Sequence, residues 1–127
     1  MTRLALIFSL LFVTPAWAEW RLIGNNMVGN EYYLDFDKIR ASKGYVYYWS
    51  LINFLEPRQG AMSSKQYYKG DCDALGNQML QVTPYFQPMG VEKVDSFSVD
   101  PEWYYLDPDG IGASVLRAAC REAGFKK

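Results

Sequence analysis

The stretch YVYYWSLINF, residues 45–54, decides the fold of this chain. It is rich in aromatic and β-branched residues, which favour β-strands. Both of its alternating sets of side chains are largely apolar, whereas a strand with one solvent-facing side alternates apolar and polar residues. We therefore predict a central strand whose two faces are both covered.

The segments around this strand predict a meander of further strands. Strand-like runs occupy residues 19–23, 31–36, 61–69, 78–86 and 91–98, with a short aromatic piece at 103–105. Turn-forming Gly, Asn, Asp and Pro residues separate these runs. Pro57 lies in the stretch EPRQG at 56–60, which predicts a loop, and Pro84 indicates a sheet edge or a bulge, because proline cannot donate to a strand ladder.

One long helical pattern lies near the end of the chain, at residues 111–123. Its apolar residues recur at three- and four-residue spacing: Ile111, Val115, Leu116, Ala119 and Cys120. Gly124 is a suitable C-terminal stop. A run of strands followed by one helix predicts an α+β fold, an antiparallel sheet of about six strands with a C-terminal helix packed on one face.

The predicted helix covers only one face of the strand at 45–54. The other apolar face needs a cover of its own. Either the sheet curls on itself, or a second copy of the chain packs there; we favour the homodimer.

The first eighteen residues have the layout of a secretory signal peptide. Arg3 supplies one positive charge, an apolar run follows at residues 4–13, and Ala16-Trp17-Ala18 has the small-x-small pattern of a cleavage site. We expect cleavage between Ala18 and Glu19, and a single domain over residues 19–127. The apolar run is shorter than the roughly 20 residues that cross a bilayer. We therefore predict an exported protein without a membrane span, in the periplasm, at the cell surface or outside the cell.

Composition excludes several classes of function. The chain contains no histidine, so neither a Ser-His-Asp triad, a Cys-His pair nor a His-ligated zinc site can form. The 13 basic and 14 acidic residues are nearly balanced, whereas a nucleic-acid-binding domain needs a clustered basic surface. The sequence therefore predicts no nucleic-acid partner and no cofactor.

Cys72 and Cys120 are the two cysteines of the chain. In an exported protein, two thiols most often form one disulfide. Closing a loop of about 48 residues stabilises a fold by ~4 kcal/mol on the chain-entropy model. The alternative is a pair of reactive thiols, but the cysteines are not in a C-x-x-C arrangement.

Two acidic pairs, Asp71-x-Asp73 and Asp107-x-Asp109, offer oxygen ligands of the kind that calcium prefers. Neither pair lies in the longer D-x-D-x-D-G loop that marks a calcium site. Asp in a turn or before a helix needs no metal to explain it. We therefore predict no metal site.

The sequence gives equally little support for a catalytic site. Ser63, Ser64 and Lys65 suggest a Ser–Lys nucleophile pair, but Ser64 and Lys65 would point to opposite faces of a strand. Ser63 would share a face with Lys65, yet a catalytic lysine also needs burial to lower its pKa. A hydrolase with paired carboxylates would need two carboxyl groups roughly 5–10 Å apart in a cleft, and no pattern predicts that. We predict that the protein is not an enzyme.

Aromatic residues make up 17% of the chain, and aromatic side chains are enriched in protein interfaces. Most of them are expected to fill the core. Those that prove exposed are the candidates for partner contacts, from the set Tyr67, Tyr68, Tyr85, Tyr104 and Tyr105.

Several fragments, taken in order, resemble the bacterial surface-adhesin protein E-like family. They are Glu19-Trp20, Tyr32-Tyr33-Leu34-Asp35, Lys38-Ile39-Arg40, Val46 with Trp49, Ser64-Lys65, Asp71-Cys72, Gly90-Val91, Trp103-Tyr104, Pro108 and Cys120. The resemblance implies an exported domain with an antiparallel sheet, a packed C-terminal helix and one disulfide. It also implies a protein on the surface of Gram-negative pathogens that binds host proteins, including components of the extracellular matrix. No short binding motif of the family can be placed on this sequence, so the partner-binding residues stay unassigned.

The functional prediction is an exported, non-enzymatic protein-interaction domain, adhesin-like in its binding of host or matrix proteins. The alternative is a periplasmic module of the cell's own envelope, or a binder of a small apolar ligand. The ligand binder would need a cavity of several hundred Å³ between sheet and helix.

Overall fold

The computed structural model describes residues 19–125, which form nine strands and one α-helix. The elements in chain order are β1 (Trp20–Asn25), β2 (Glu31–Asp35), β3 (Arg40–Ser42), β4 (Tyr45–Arg58), β5 (Ala61–Asp71), β6 (Gly76–Gln87), β7 (Val91–Lys93), β8 (Phe97–Ser98), β9 (Tyr104–Tyr105) and α1 (Ile111–Glu122). Short 3-10 turns lie at Phe36–Lys38 and Pro88–Gly90.

The strands form one sheet in the order β1-β2-β4-β5-β6-β7, and every pairing is antiparallel. β3 pairs with β4 beside β2, and β8 and β9 pair with β6. This architecture confirms the α+β prediction of an antiparallel sheet with a C-terminal helix. The sheet is open, because β1 and β7 lie at opposite edges.

β4 is the central strand that the sequence predicts. It pairs with β2 and β3 on one side and with β5 on the other. The β4–β5 register places Tyr48 opposite Tyr68 and Trp49 opposite Tyr67. Val46 and Tyr48 point towards α1 and are fully or almost fully buried.

The loop expected around Pro57 is wrong, whereas the edge expected at Pro84 is found. β4 continues through Pro57, and the loop expected at 56–60 shrinks to a tight turn at Gln59 and Gly60. The β4–β5 pairing is interrupted between Asn53 and Arg58, so the missing N–H of Pro57 breaks no ladder bond. Pro84 lies inside β6, between the pairings of β6 with β7 and with β8, so the outer side of β6 is a local edge at this residue, as the sequence predicts.

The single strand expected at 91–98 is also wrong, because the segment leaves the sheet in its middle. β7 and β8 are separate short strands. Between them the backbone N–H of Val94 donates to the carbonyl of Pro84 at 3.0 Å. The hydroxyls of Ser96 and Thr83 are hydrogen-bonded at 2.9 Å. These contacts with β6 replace a continuous strand ladder.

The predicted C-terminal helix is confirmed, with α1 ending at Glu122 and Gly124 adopting a positive φ after it. The buried core between α1 and the sheet consists of Leu34, Val46, Tyr48, Cys72, Val115, Leu116, Ala118, Ala119 and Cys120. Gly70 of β5 lets the helix approach closely, because a Cβ at this position would lie 2.5 Å from Cδ1 of Leu116.

Candidate functional site

A disulfide joins the helix to the sheet. Cys72 follows β5 and Cys120 lies on α1, with an S–S distance of 2.10 Å and Cα atoms 6.1 Å apart. Both cysteines are buried. The pair is therefore a structural cross-link, as compartment and family resemblance indicate, and neither cysteine is a free thiol.

A groove of about 610 Å³ opens between α1 and the sheet. Its walls come from β2, β4, β5 and β6, from the segment at 99–107 and from the start of α1. The lining residues are Tyr32, Tyr48, Ser50, Ile52, Tyr68, Asn77, Met79, Val99, Tyr104, Tyr105, Leu106, Asp107, Gly112 and Val115. The groove exists because the twelve-residue helix covers only part of this sheet face.

The polar groups at the base of the groove are neutral. The amide Nδ2 of Asn77 donates to the hydroxyl of Tyr48 at 3.1 Å. Burial raises the pKa of both Tyr48 and Tyr68 well above the ordinary tyrosine value. Both hydroxyls are therefore protonated at neutral pH, and Asp107 is the one charged side chain among the lining residues, so the groove suits a largely apolar ligand.

A second candidate site is an exposed apolar segment at 86–97, which we call the edge patch. It comprises Phe86, Met89, Val91, Val94 and Phe97. Phe86, Val91 and Phe97 are 51%, 53% and 50% exposed, although apolar side chains of this size are usually buried. The patch follows the edge strand β7, and the strand registers place Phe86 and Phe97 on one sheet face and Val91 on the other.

The turn that carries Met89 is held in a fixed conformation. Met89 has a φ of 60°, a left-handed value that is unfavourable for a residue with a long side chain. Its backbone N–H donates to Oδ1 of Asn53 at 2.8 Å, and the N–H of Gly90 donates to the hydroxyl of Ser63 at 3.0 Å. The edge patch is therefore presented by an anchored turn.

A third candidate site occupies the sheet face opposite α1, and we call it the cationic–aromatic face. It comprises Tyr45, Tyr47, Trp49, Tyr67 and Trp103 with Arg40, Lys65 and Lys69. Trp49 and Tyr67 have ring centroids 4.6 Å apart, and Tyr45 and Trp103 lie at 5.7 Å. The charged groups of this face lie over its rings. These side chains lie on the second apolar face of β4, where the sequence predicts a curled sheet or a second copy of the chain, and Tyr45, Tyr47 and Trp49 stay partly exposed there.

Each cation of this face has a defined ring partner. Nζ of Lys69 lies 4.1 Å from the centroid of Tyr45, and Nζ of Lys65 lies 4.7 Å from that of Trp49. The guanidinium of Arg40 lies 4.9 Å from the centroid of Tyr47. Burial, and secondarily the charge of Lys93, lowers the pKa of Lys65.

The three residues that the sequence offers as catalytic candidates, Ser63, Ser64 and Lys65, make structural contacts. The hydroxyl of Ser63 donates to the carbonyl of Gln87 at 2.6 Å, and that of Ser64 accepts from Nε2 of Gln66 at 2.9 Å. Lys65 points to the opposite face from Ser64, over Trp49. The three side chains are therefore not arranged as a nucleophile and its base.

The acidic pairs shape turns. Oδ1 of Asp71 accepts from the N–H groups of Asp73 and Ala74, both at 3.1 Å. Oδ1 of Asp107 accepts from the N–H of Asp109 at 3.0 Å. Within residues 19–125 no three His, Cys, Asp or Glu side chains come together as a metal site.

The five tyrosines proposed for partner contacts differ in their exposure to solvent. Tyr104 and Tyr105 are exposed at the mouth of the groove, Tyr67 and Tyr68 are half-buried, and Tyr85 is buried. Burial also raises the pKa of Tyr85. The sequence pattern does not reveal the edge patch, because it predicts Phe86 in the strand at 78–86 and Val91, Val94 and Phe97 in the run at 91–98.

The predicted cleavage position lies at the start of the described chain. Ala18 lies outside the described residues. The backbone N–H of Glu19 donates to Oδ1 of Asp35 at 3.2 Å. None of the helices in residues 19–125 combines the length and apolar character needed to traverse a lipid bilayer.

Comparison with known proteins gives a consistent result. The family model of surface-adhesin protein E matches residues 20–121. A structure of Haemophilus influenzae protein E is similar at a TM-score of 0.61 with 20% sequence identity, covering 87% of this chain and 90% of that one. Protein E from non-typeable Haemophilus influenzae is similar at 0.57 and 19% identity, covering 85% of this chain and 79% of that one. No curated protein sequence matches significantly. With an antiparallel sheet, a packed C-terminal helix and a matching family model over most of its length, this chain belongs to the surface-adhesin protein E family.

Proposed function

We propose that this chain is an exported, non-enzymatic protein-binding domain of the adhesin type, acting at the cell surface. Export would remove residues 1–18 by cleavage between Ala18 and Glu19, leaving residues 19–127 as one domain. The observation that carries the proposal is the edge patch, five exposed apolar side chains within twelve residues.

The edge patch has the composition of a protein-docking surface. Clustered exposed apolar side chains mark interaction sites, whereas scattered ones need no explanation. Charged neighbours at Glu92, Lys93 and Asp95 supply a polar rim of the kind found around interface cores. The anchored turn at Met89 reduces the ordering cost of binding, because its conformation is fixed before the partner arrives.

A homodimer is a further proposal for the partner, and the structure favours one route to it. Pairing two cationic–aromatic faces across a two-fold axis would bring Arg40, Lys65 and Lys69 of both copies together, and like charges repel. The edge patch has no such accumulation of charge. If the chain dimerises, we therefore expect the contact to involve the edge patch.

The binding experiment replaces three patch residues at once. Phe86→Ser, Val91→Ser and Phe97→Ser together should reduce binding to an immobilised basement-membrane extract by at least about tenfold, since interface energy concentrates in a few apolar anchors. The matched control replaces three exposed apolar residues at the opposite edge: Leu22→Ser, Val28→Ser and Leu55→Ser. Equal losses in the two variants, or no binding by the unmodified protein, would contradict the proposal.

Location is tested separately on intact cells that express a tagged protein. Protease added to intact cells should remove the tag if the protein is surface-displayed. Survival of the tag, followed by release on osmotic shock, would place the protein in the periplasm. N-terminal sequencing of the released protein would test cleavage before Glu19.

The second candidate function is binding of a small apolar ligand, and the groove favours it. Its volume of about 610 Å³ lies within the range typical of ligand sites. The neutral apolar dye N-phenyl-1-naphthylamine should fluoresce more strongly in its presence. Met79→Trp should fill the groove and suppress the signal, whereas Met27→Trp, at an exposed turn, should leave it unchanged.

A further inference from the structure

We propose that the cationic–aromatic face binds a sulfated polysaccharide. This site lies on the sheet face opposite the groove and uses none of the residues of the edge patch. The proposal is therefore independent of protein docking at that patch.

The first argument is uncompensated positive charge. Within residues 19–125 the one ion pair joins Arg21 to Glu19, whereas Arg40, Lys65 and Lys69 lie over aromatic rings. Since the whole chain carries a net charge of −1, this concentration of cations is not its average property. Such a surface attracts anionic partners.

Two acids beside this face, Asp35 and Asp71, accept hydrogen bonds from the backbone. Asp35 acts on Lys65 electrostatically, but it is 1% exposed and accepts hydrogen bonds from the N–H groups of Glu19 and Asp37. Asp71, at the end of β5, accepts two hydrogen bonds from the turn that follows it. Within residues 19–125 none of the three cations forms an ion pair with an acid, so each remains available to an external anion.

The second argument is preorganisation. Arg40 lies over Tyr47 and also donates a hydrogen bond to the hydroxyl of Tyr67 at 3.2 Å. Lys69 lies over Tyr45, with the ring of Trp103 5.9 Å away. These contacts restrict side chains that would otherwise lose much rotamer freedom on binding, so the entropy cost of binding is partly met in advance.

The third argument is the spacing of the charges. Lys65 and Lys69 lie four residues apart on one face of β5, which corresponds to roughly 13 Å along a strand. One small anion cannot bridge that distance. A polymer with anionic groups at intervals can, and its sulfates stay ionised and offer several acceptor oxygens to each cation.

The shape of the face separates the polysaccharide from other anionic polymers. None of these side chains lines the groove beside α1, so the face differs from the concave site of this structure. β4 and β5 are paired on both sides, which prevents addition of a peptide strand. Single-stranded nucleic acid binds by stacking bases on free rings, but Tyr45, Tyr47 and Trp49 are covered by cations.

The experiment measures binding of fluorescent heparin by polarisation at low salt. The variant Arg40→Gln with Lys65→Gln and Lys69→Gln should bind about tenfold to a hundredfold more weakly, if each cation contributes up to about 1 kcal/mol. The matched control removes three exposed or partly exposed cations elsewhere: Lys38→Gln, Arg58→Gln and Arg121→Gln. This control variant has the same net charge as the test variant, and it should bind heparin within about twofold of the unmodified protein.

Two further comparisons sharpen the result. Lys65→Arg with Lys69→Arg should retain binding, because the charges and ring contacts remain. Uncharged dextran, polyglutamate and single-stranded DNA should each bind at least about tenfold more weakly than heparin. Circular dichroism and thermal melting check folding, and single Lys65→Gln and Lys69→Gln variants replace the triple variant if it fails to fold.

Four outcomes would overturn the proposal, the last being loss of heparin binding by the edge-patch variant. The first is no heparin binding by the unmodified protein, and the second is an equal loss in the control variant. The third is equally tight binding of polyglutamate or single-stranded DNA, which would reveal unspecific attraction of anions. Retention of heparin binding by the edge-patch variant would show that the two surfaces act separately, and loss of it would count against this assignment.

Discussion

Glu19 and Asp35 join the beginning of the first strand to the end of the second. The backbone N–H of Glu19 donates to Oδ1 of Asp35 at 3.2 Å, and the same oxygen accepts from the N–H of Asp37 at 3.0 Å. Asp35 is buried, so its carboxylate depends on these donors. Cleavage before Glu19 would convert the amide donor into an ammonium group and make the hydrogen bond charge-assisted.

We predict that Asp35→Ala destabilises the protein by about 1–3 kcal/mol, because it leaves buried donors unpaired. The loss should be larger in the protein that starts at Glu19 than in one with two extra alanines before it. Urea unfolding of the four proteins measures the difference. Equal losses with and without the extension would show that the free amino group adds nothing to this contact.

The disulfide should contribute much of the stability. Replacing both Cys72 and Cys120 by Ala should lower the free energy of unfolding by ~4 kcal/mol, since the bond closes a loop with a sequence separation of 48. Urea unfolding with and without reductant measures this contribution. Reductant should shift the unmodified protein towards the double variant and leave that variant unchanged; an unshifted midpoint would contradict the prediction.

Gly70 should not tolerate a side chain. In Gly70→Ala the new Cβ would lie 2.5 Å from Cδ1 of Leu116 and 3.0 Å from Cγ1 of Val46. Overpacking of this kind costs about 1–3 kcal/mol. Combining it with Leu116→Ala tests the cause, because the smaller helix residue removes the closest contact. The double variant should lose less than the sum of the two single losses, and strict additivity would locate the cost elsewhere.

Alkaline pH should destabilise the fold through Tyr48, which is buried, and Tyr68, which is half-buried. Tyr48 and Tyr68 have raised pKa values when folded, so above pH 10.0, the ordinary tyrosine value, they ionise only in the unfolded chain. Their contribution is fully present below that pH, and each lowers the free energy of unfolding by about 1.4 kcal/mol per pH unit above it. Lys65 acts oppositely, because its lowered pKa makes the folded state bind fewer protons as pH rises towards 10.5.

Denaturant unfolding between pH 9 and 11 measures this dependence. Tyr68→Phe should flatten the decline, whereas Tyr104→Phe, at an exposed position, should not. A pH-independent free energy of unfolding across this range would show that the two hydroxyls ionise in the folded protein.

The sequence predicts the central strand and the helix well because each is encoded by local patterns. Residues 45–54 are apolar on both sides, and the helix repeats apolar residues every three or four positions, so neither prediction requires knowledge of a partner strand. Pro57 misled, and Pro84 left an edge and a bulge equally open, because the place of a proline in a sheet depends on strand pairing. The interruption of the β4–β5 ladder and the gap between β7 and β8 arise from tertiary structure, which local sequence patterns do not encode.

The candidate surfaces were harder to predict for the same reason. Lys65 and Trp49 are distant in sequence, and only the β4–β5 register places one over the other. The groove depends on how much of the sheet a short helix leaves uncovered. Phe86 and Phe97 look like ordinary strand residues, and their exposure follows from the departure of the chain from the sheet between β7 and β8.

The bond between Cys72 and Cys120 has a consequence for survival outside the cell. The edge patch and the segment at 99–107 both lie between the two cysteines in sequence. A protease that cuts once in this exposed stretch would produce two fragments that stay covalently joined. The nicked protein would run as one species without reductant and as two with it, and its sheet and helix would remain connected after the backbone is broken.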